Sequence, residues 1–117
     1  MAEAAPAATR EPGRLEVGDV VLDRDAHLVT VDGHAVTLAL QEFRLLELLM
    51  SNADHVIPSA EILEALWGGD FHGDPGTVAV HVLRLRRKLD RWSSASRHLR
   101  TVRGIGYVFD TEPVELD

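Results

Sequence analysis

Residues 74–92 constrain this chain more than any other stretch, because they pair a narrow apolar stripe with a run of cations. Asp74-Pro75 reads as a helix start: an Asp cap, then a Pro whose missing N–H would have had no intrahelical partner anyway. At about 100° per residue, Val78, Val82, Leu85 and Leu89 fall within one arc and must face a core. Val80, Arg84, Arg87 and Arg91 point the opposite way, with Thr77 beside them, and His81 and Arg86 flank the stripe. The helix is expected to run to about Trp92. It needs a body behind it and something anionic in front.

The body is legible upstream. Residues 15–37 read as four short antiparallel strands, and Asp32-Gly33 marks a tight hairpin whose two central residues need φ > 0. Residues 38–51 repeat Phe43, Leu46, Leu49 and Met50 at three to four residues, widened by Leu45 and Leu48. Such a helix is largely buried, and its Glu42 and Glu47 read as a solvated face or a subunit contact. Val56-Ile57 suggests a brief strand. Residues 59–67 form a second helix with Ile62, Leu63, Leu66 and Trp67 inward, Ser59 as the N-cap and Gly68-Gly69 as the stop. A polar loop, 93–97, follows the third helix. Residues 99–103, the turn Gly104-Ile105-Gly106 and residues 107–109 then read as a hairpin. One helix, a loop, and an amphipathic helix with an arginine face is a helix-turn-helix pattern. The organisation expected is a linker or disordered N-terminus over 1–14, one domain over 15–110 and an acidic tail over 111–117.

With 117 residues there is room for one domain and one modest core. The absence of cysteine excludes disulfides, thiolate zinc sites and a cysteine nucleophile, and fits a reducing, cytoplasmic setting. No apolar run approaches the ~20 residues of a membrane span, so no membrane partner is expected. The net charge of −7 argues against nucleic acid until it is mapped. Residues 1–76 hold 4 basic and 14 acidic side chains, whereas 77–109 hold 8 basic and one acidic. Screening limits each charge to ~8–10 Å at physiological salt, so a local cationic face acts independently of an acidic remainder.

That face suits duplex DNA. A major groove admits one α-helix, flanked by phosphates. Arg pairs bidentately with guanine, and Val80 or the Thr77 methyl matches a thymine methyl. Arg100 and Arg103 on the hairpin are placed to lay a cation in the neighbouring minor groove. No cofactor and no metal is expected: the six histidines show no ligand spacing. No enzyme is expected either, since nothing arranges Ser, His and Asp as a triad, and Gly104 and Gly106 lack a following Lys-Ser/Thr.

Two segments carry a family resemblance. Thr77-Val78-Ala79-Val80-His81-Val82-Leu83-Arg84-Leu85-Arg86-Arg87-Lys88-Leu89 and Leu99-Arg100-Thr101-Val102-Arg103-Gly104-Ile105-Gly106-Tyr107-Val108-Phe109 resemble the OmpR/PhoB family of winged helix-turn-helix effector domains of bacterial response regulators. Glu42-Phe43-Arg44-Leu45-Leu46 and Glu64-Ala65-Leu66-Trp67-Gly68 match two further stretches. The resemblance spans about 15–110. It implies an α+β fold: a four-stranded N-terminal antiparallel sheet, three helices and a C-terminal β-hairpin wing. By resemblance, Thr77, Val80, Arg84 and Arg87 or Lys88 face the groove. Trp67, His81, Arg86 and Thr101 match positions that meet the DNA backbone, and Arg103 matches the wing arginine. The loop 68–76 corresponds to a segment presented to RNA polymerase. Head-to-tail dimers on direct repeats, driven by a receiver domain upstream, are the family habit, and the Ala/Pro-rich opening reads as an interdomain linker.

The chain departs from the pattern at several positions. Gly76 and Ala79 stand where Arg and Asp are common, Leu83 where polar residues are frequent, Val108 where a basic residue follows the Tyr, and Pro58 where Ser or Thr caps. The losses at Gly76 and Val108 remove two expected phosphate contacts. They also keep a second reading open: a winged-helix module that docks on RNA polymerase or another regulator with little DNA affinity. RNA binding is weaker still, since only Trp92, Tyr107 and Phe109 lie near the basic face, too few for stacking.

Overall fold

A computed structural model describes residues 8–11, 13–68 and 75–113. The N-terminal meander comprises β1 (Ala8–Glu11), β2 (Arg14–Val17), β3 (Val20–Asp23), β4 (Leu28–Val31) and β5 (His34–Val36), paired in that order. Its register aligns Leu15, Leu22, Val29 and Val36 in one row across four strands, and Val17, Val20 and Val31 in the next. All seven are buried, because alternate residues of a strand share a face. Asp32 and Gly33 both take positive φ, 53° and 81°, as the hairpin requires.

The strand β1 falls within 1–14, the stretch expected as a linker. It pairs antiparallel with β2, through backbone groups that leave no mark in side-chain periodicity. Residues 1–7 lie outside the described residues, as does Asp74, the expected cap of the third helix.

Three helices close the other side of the core. The first, α1 (Leu40–Ser51), buries Phe43, Leu45, Leu46, Leu49 and Met50 between the sheet and its neighbours. Arg24 clamps the sheet to it, with Nε 2.7 Å from Glu47 and Nη2 donating to the Ser51 hydroxyl at 2.9 Å. The second, α2 (Ser59–Trp67), is capped by Pro58 and not by Ser59. Ser59 is the first helical residue, and its N–H donates instead to the Ile105 carbonyl of the wing turn at 3.0 Å. The third, α3 (Pro75–Leu89), stops three residues short of Trp92. Asp90 breaks away to accept from the Ser96 N–H (2.9 Å) and hydroxyl (2.7 Å), and Trp92 stacks on His34 of the β4–β5 hairpin at 4.2 Å.

A 3-10 turn, Ala95–His98, leads into the wing, β7 (Leu99–Val102) and β8 (Gly106–Phe109). The brief upstream strand forms as β6 (Ile57–Pro58) and pairs with β8, giving a second sheet in the order β6-β8-β7. Gly106 is dictated by this pairing: a Cβ there would overlap the Ile57 carbonyl.

Candidate nucleic-acid interface

The third helix sits as its periodicity demands. Val78, Val82, Leu85 and Leu89 are at most 1% exposed, so the back of α3 is fully committed to the core. The front holds Val80, Arg84 and Arg87 out to solvent, with Thr77 half-buried at its start. Among the described residues, neither Arg84 nor Arg87 makes an ion pair. Two cations one turn apart thus stand on a rigid, solvated ridge.

The flanks of the ridge are built differently. On the α2 side, His81 donates from Nδ1 to the Thr77 carbonyl at 2.8 Å, and its ring meets the half-buried Trp67 edge-on at 5.1 Å. Trp67 also packs against the core, so it serves that role whatever else it touches. On the opposite side, Arg86 Nη2 donates to the Leu99 carbonyl at 3.0 Å and to the Thr101 hydroxyl at 2.7 Å. That pair of bonds ties the first wing strand to α3 and brings Thr101 beside the helix; Arg103, two residues on, is exposed. The candidate surface accordingly holds Arg84 and Arg87 on α3 and the exposed Arg103 on the wing.

Two expected members do not join it. Lys88 turns inward, its Nζ 2.6 Å from Oε1 of Glu42. Glu42 is buried, which corrects its reading as a solvated or subunit-facing residue. The same carboxylate accepts the Ala39 N–H at 2.9 Å and so finishes the first turn of α1. Burial pushes the Glu42 carboxyl up, but the hydrogen bonds from Lys88 and Ala39 and the positive charges of Lys88 and His81 outweigh it and hold its pKa below the ordinary value. Arg100 also leaves the surface: it forks onto Asp110, Nε to Oδ2 at 2.7 Å and Nη2 to Oδ1 at 3.1 Å, which raises its pKa further. Its expected place in a minor groove is corrected accordingly. Val108 is buried as well, so that wing position faces the protein.

The sequence pattern missed Glu42, Asp110 and His98 as structural polar groups. His98 is buried, donates from Nδ1 to the Asp110 carbonyl at 2.7 Å and stacks on Phe109. Glu42 stands where a helix N3 acid belongs, which was the available signal; Ala39 concealed it by offering no capping oxygen. Most of the loop 68–76 lies outside the described residues, at 69–74.

The profile of the family described as "Transcriptional regulatory protein, C terminal" matches residues 33–109. The chain is 44% identical over 97 residues to the sensory transduction protein RegX3 of Mycolicibacterium smegmatis, covering 83% of this chain and 42% of that protein. It thus spans half or less of the length of such curated relatives. Response regulator DrrB of Thermotoga maritima, an OmpR/PhoB homologue, superposes with a TM-score of 0.74 at 28% identity, over 84% of this chain and 44% of its own. The Klebsiella pneumoniae RstA DNA-binding domain, solved in complex with RstA box, also gives 0.74, at 27% identity over 85% of this chain and 98% of its own. With strands, three helices and wing in the same order, the chain belongs to the C-terminal transcriptional regulatory protein family, of the OmpR/PhoB winged-helix type.

Proposed function

We propose that this domain binds double-stranded DNA sequence-specifically, as the output half of a response regulator, with α3 in the major groove and the wing at the adjacent minor groove. The carrying observation is the front of α3: Arg84 and Arg87 exposed, with no carboxylate partner among the described residues, on a helix whose back is wholly buried. Lys88 and Arg100 are paired with Glu42 and Asp110, whereas Arg84 and Arg87 carry no carboxylate partner among the described residues, which supports their assignment to a ligand. In this reading Arg84 and Arg87 address guanine edges, while Val80 and the Thr77 methyl address thymine. Arg103 reaches phosphate or minor groove beside Thr101, and His81 and Trp67 line the backbone on the α2 side. Arg86 acts by holding the wing. The solved DNA complex of RstA supports the reading by likeness. By the same family likeness, residues 68–76 are proposed to meet RNA polymerase and the chain to pair head to tail on direct repeats.

The test is a fluorescence titration with duplexes selected from a random pool, repeated across salt. Log affinity falls linearly with log salt if phosphates are neutralised, by about 0.9 per phosphate contact. A flat line, with capture of RNA polymerase or another regulator by the same chain, would favour the protein-docking reading instead.

A further inference from the structure

Val80 and Leu83 are exposed large apolar side chains of α3, at 44% and 48%. The fold does not need them, since Val78, Val82, Leu85 and Leu89 already supply the buried stripe. They stand three residues apart and so adjoin on the helix surface. Their orientation follows from two contacts. The His81 ring against Trp67 marks the α2 side, and the Arg86 guanidinium on Leu99 and Thr101 marks the wing side. At about 100° per residue, Arg84 falls between Val80 and His81, whereas Leu83 falls between Val80 and Arg86. The front of α3 is therefore divided. Its α2 half is cationic and polar, with Thr77 and Arg84; its wing half is apolar, with Ala79 and Leu83, and Val80 and Arg87 lie on the boundary.

The occupant must satisfy both halves at once. An apolar protein patch over Leu83 would strip water from Arg84 and Arg87 without replacing it, which is costly. A major groove offers acceptors to the arginines and, on the same base edges, one apolar group: the 5-methyl of thymine. Resting on the duplex-reading proposal above, we infer that Leu83 is a specificity-determining residue, which with Val80 reads thymine methyl groups on the wing side of the half-site. The chain thereby prefers 5-methylated pyrimidines at positions where Arg84 makes no contact.

The experiment uses the 117-residue chain and its selected duplex, with each thymine of the site replaced in turn by uracil. The exchange removes a methyl and leaves the hydrogen-bonding edge unchanged. At one or more positions it weakens binding by the wild-type chain about fourfold, the worth of one buried methyl. In Leu83→Ala that same exchange costs nothing, while the circular dichroism spectrum and the salt slope match wild type. A selected site without thymine on the wing side, full discrimination retained by Leu83→Ala, or equal loss on both duplexes would overturn the inference. If no duplex shows salt-dependent affinity, duplex reading itself fails and takes this inference with it. If duplex is bound normally but blind to the methyl, only this inference fails.

Discussion

The Lys88 ammonium lies 2.6 Å from Oε1 of Glu42, a carboxylate whose side chain is 3% exposed and which also caps the Ala39 amide. One acid thus completes the first turn of α1 and fixes the last turn of α3. The orientation of the arginine ridge depends on α3 being held this way, because Lys88 and Arg84 occupy the same helix one turn apart.

Glu42→Gln tests this tie. With its pKa held below the ordinary value in the fold, the ionised Glu42 contributes stability that is fully present above the unfolded-state pKa. That contribution is lost as pH falls through the depressed folded value. Urea unfolding at pH 7 is expected to show Glu42→Gln less stable by about 1–2 kcal/mol, since a buried hydrogen-bonded charge pair is broken while Lys88 keeps access to water. The gap between variant and wild type narrows as pH drops below about 4.5. A gap of constant size down to pH 2.5 contradicts the role.

Arg84 and Arg86 sit two residues apart but should fail differently. Arg84→Ala removes a front-facing guanidinium, at an expected cost of about 1–3 kcal/mol in specific binding and with relaxed preference at one base position. Arg86→Ala breaks the bonds to Leu99 and Thr101 and lets the wing drift, so affinity falls alike for all duplexes and the salt slope flattens. Titrations on cognate and scrambled duplexes separate the two.

Arg100 and Arg103 form the second contrast. Arg100 is committed to Asp110, so Arg100→Ala leaves the salt slope unchanged. Arg103 is exposed on the wing, and Arg103→Ala lowers the slope by about 1. Equal slopes for both variants would remove the wing arginine from the interface.

Gly106→Ala probes the joint between β6 and the wing. The new Cβ overlaps the Ile57 carbonyl, and the atoms it meets are all Ile57-Pro58 backbone, with no flexible side chain to yield. A loss of about 3 kcal/mol is expected in thermal or urea unfolding, the scale of an overpacked core site. Gly104→Ala strains only a positive φ in open space and should cost less.

Much of the architecture was written in short-range pattern. The rows Leu15–Leu22–Val29–Val36, the Asp32-Gly33 turn and the α3 stripe all follow from spacing, because side-chain direction in a strand or helix is set by backbone geometry within a few residues. The solvent-facing residues of α3 were legible for the same reason: Val80, Arg84 and Arg87 are simply what is left once the core side is assigned. The strand β1 was not, since its pairing uses backbone N–H and C=O groups that every residue carries.

Periodicity in the chain alone established that a cationic helix would stand in front of a core with a hairpin beside it. Which cations stay available was settled only by the packed fold. Lys88 and Glu42 are 46 residues apart, and Arg100 meets Asp110 only because β8 folds back on β7. Counting charge assigns all eight cations of 77–109 to one face, but an ion pair needs two groups brought within a few ångströms, and chain-distant groups get there only through tertiary packing.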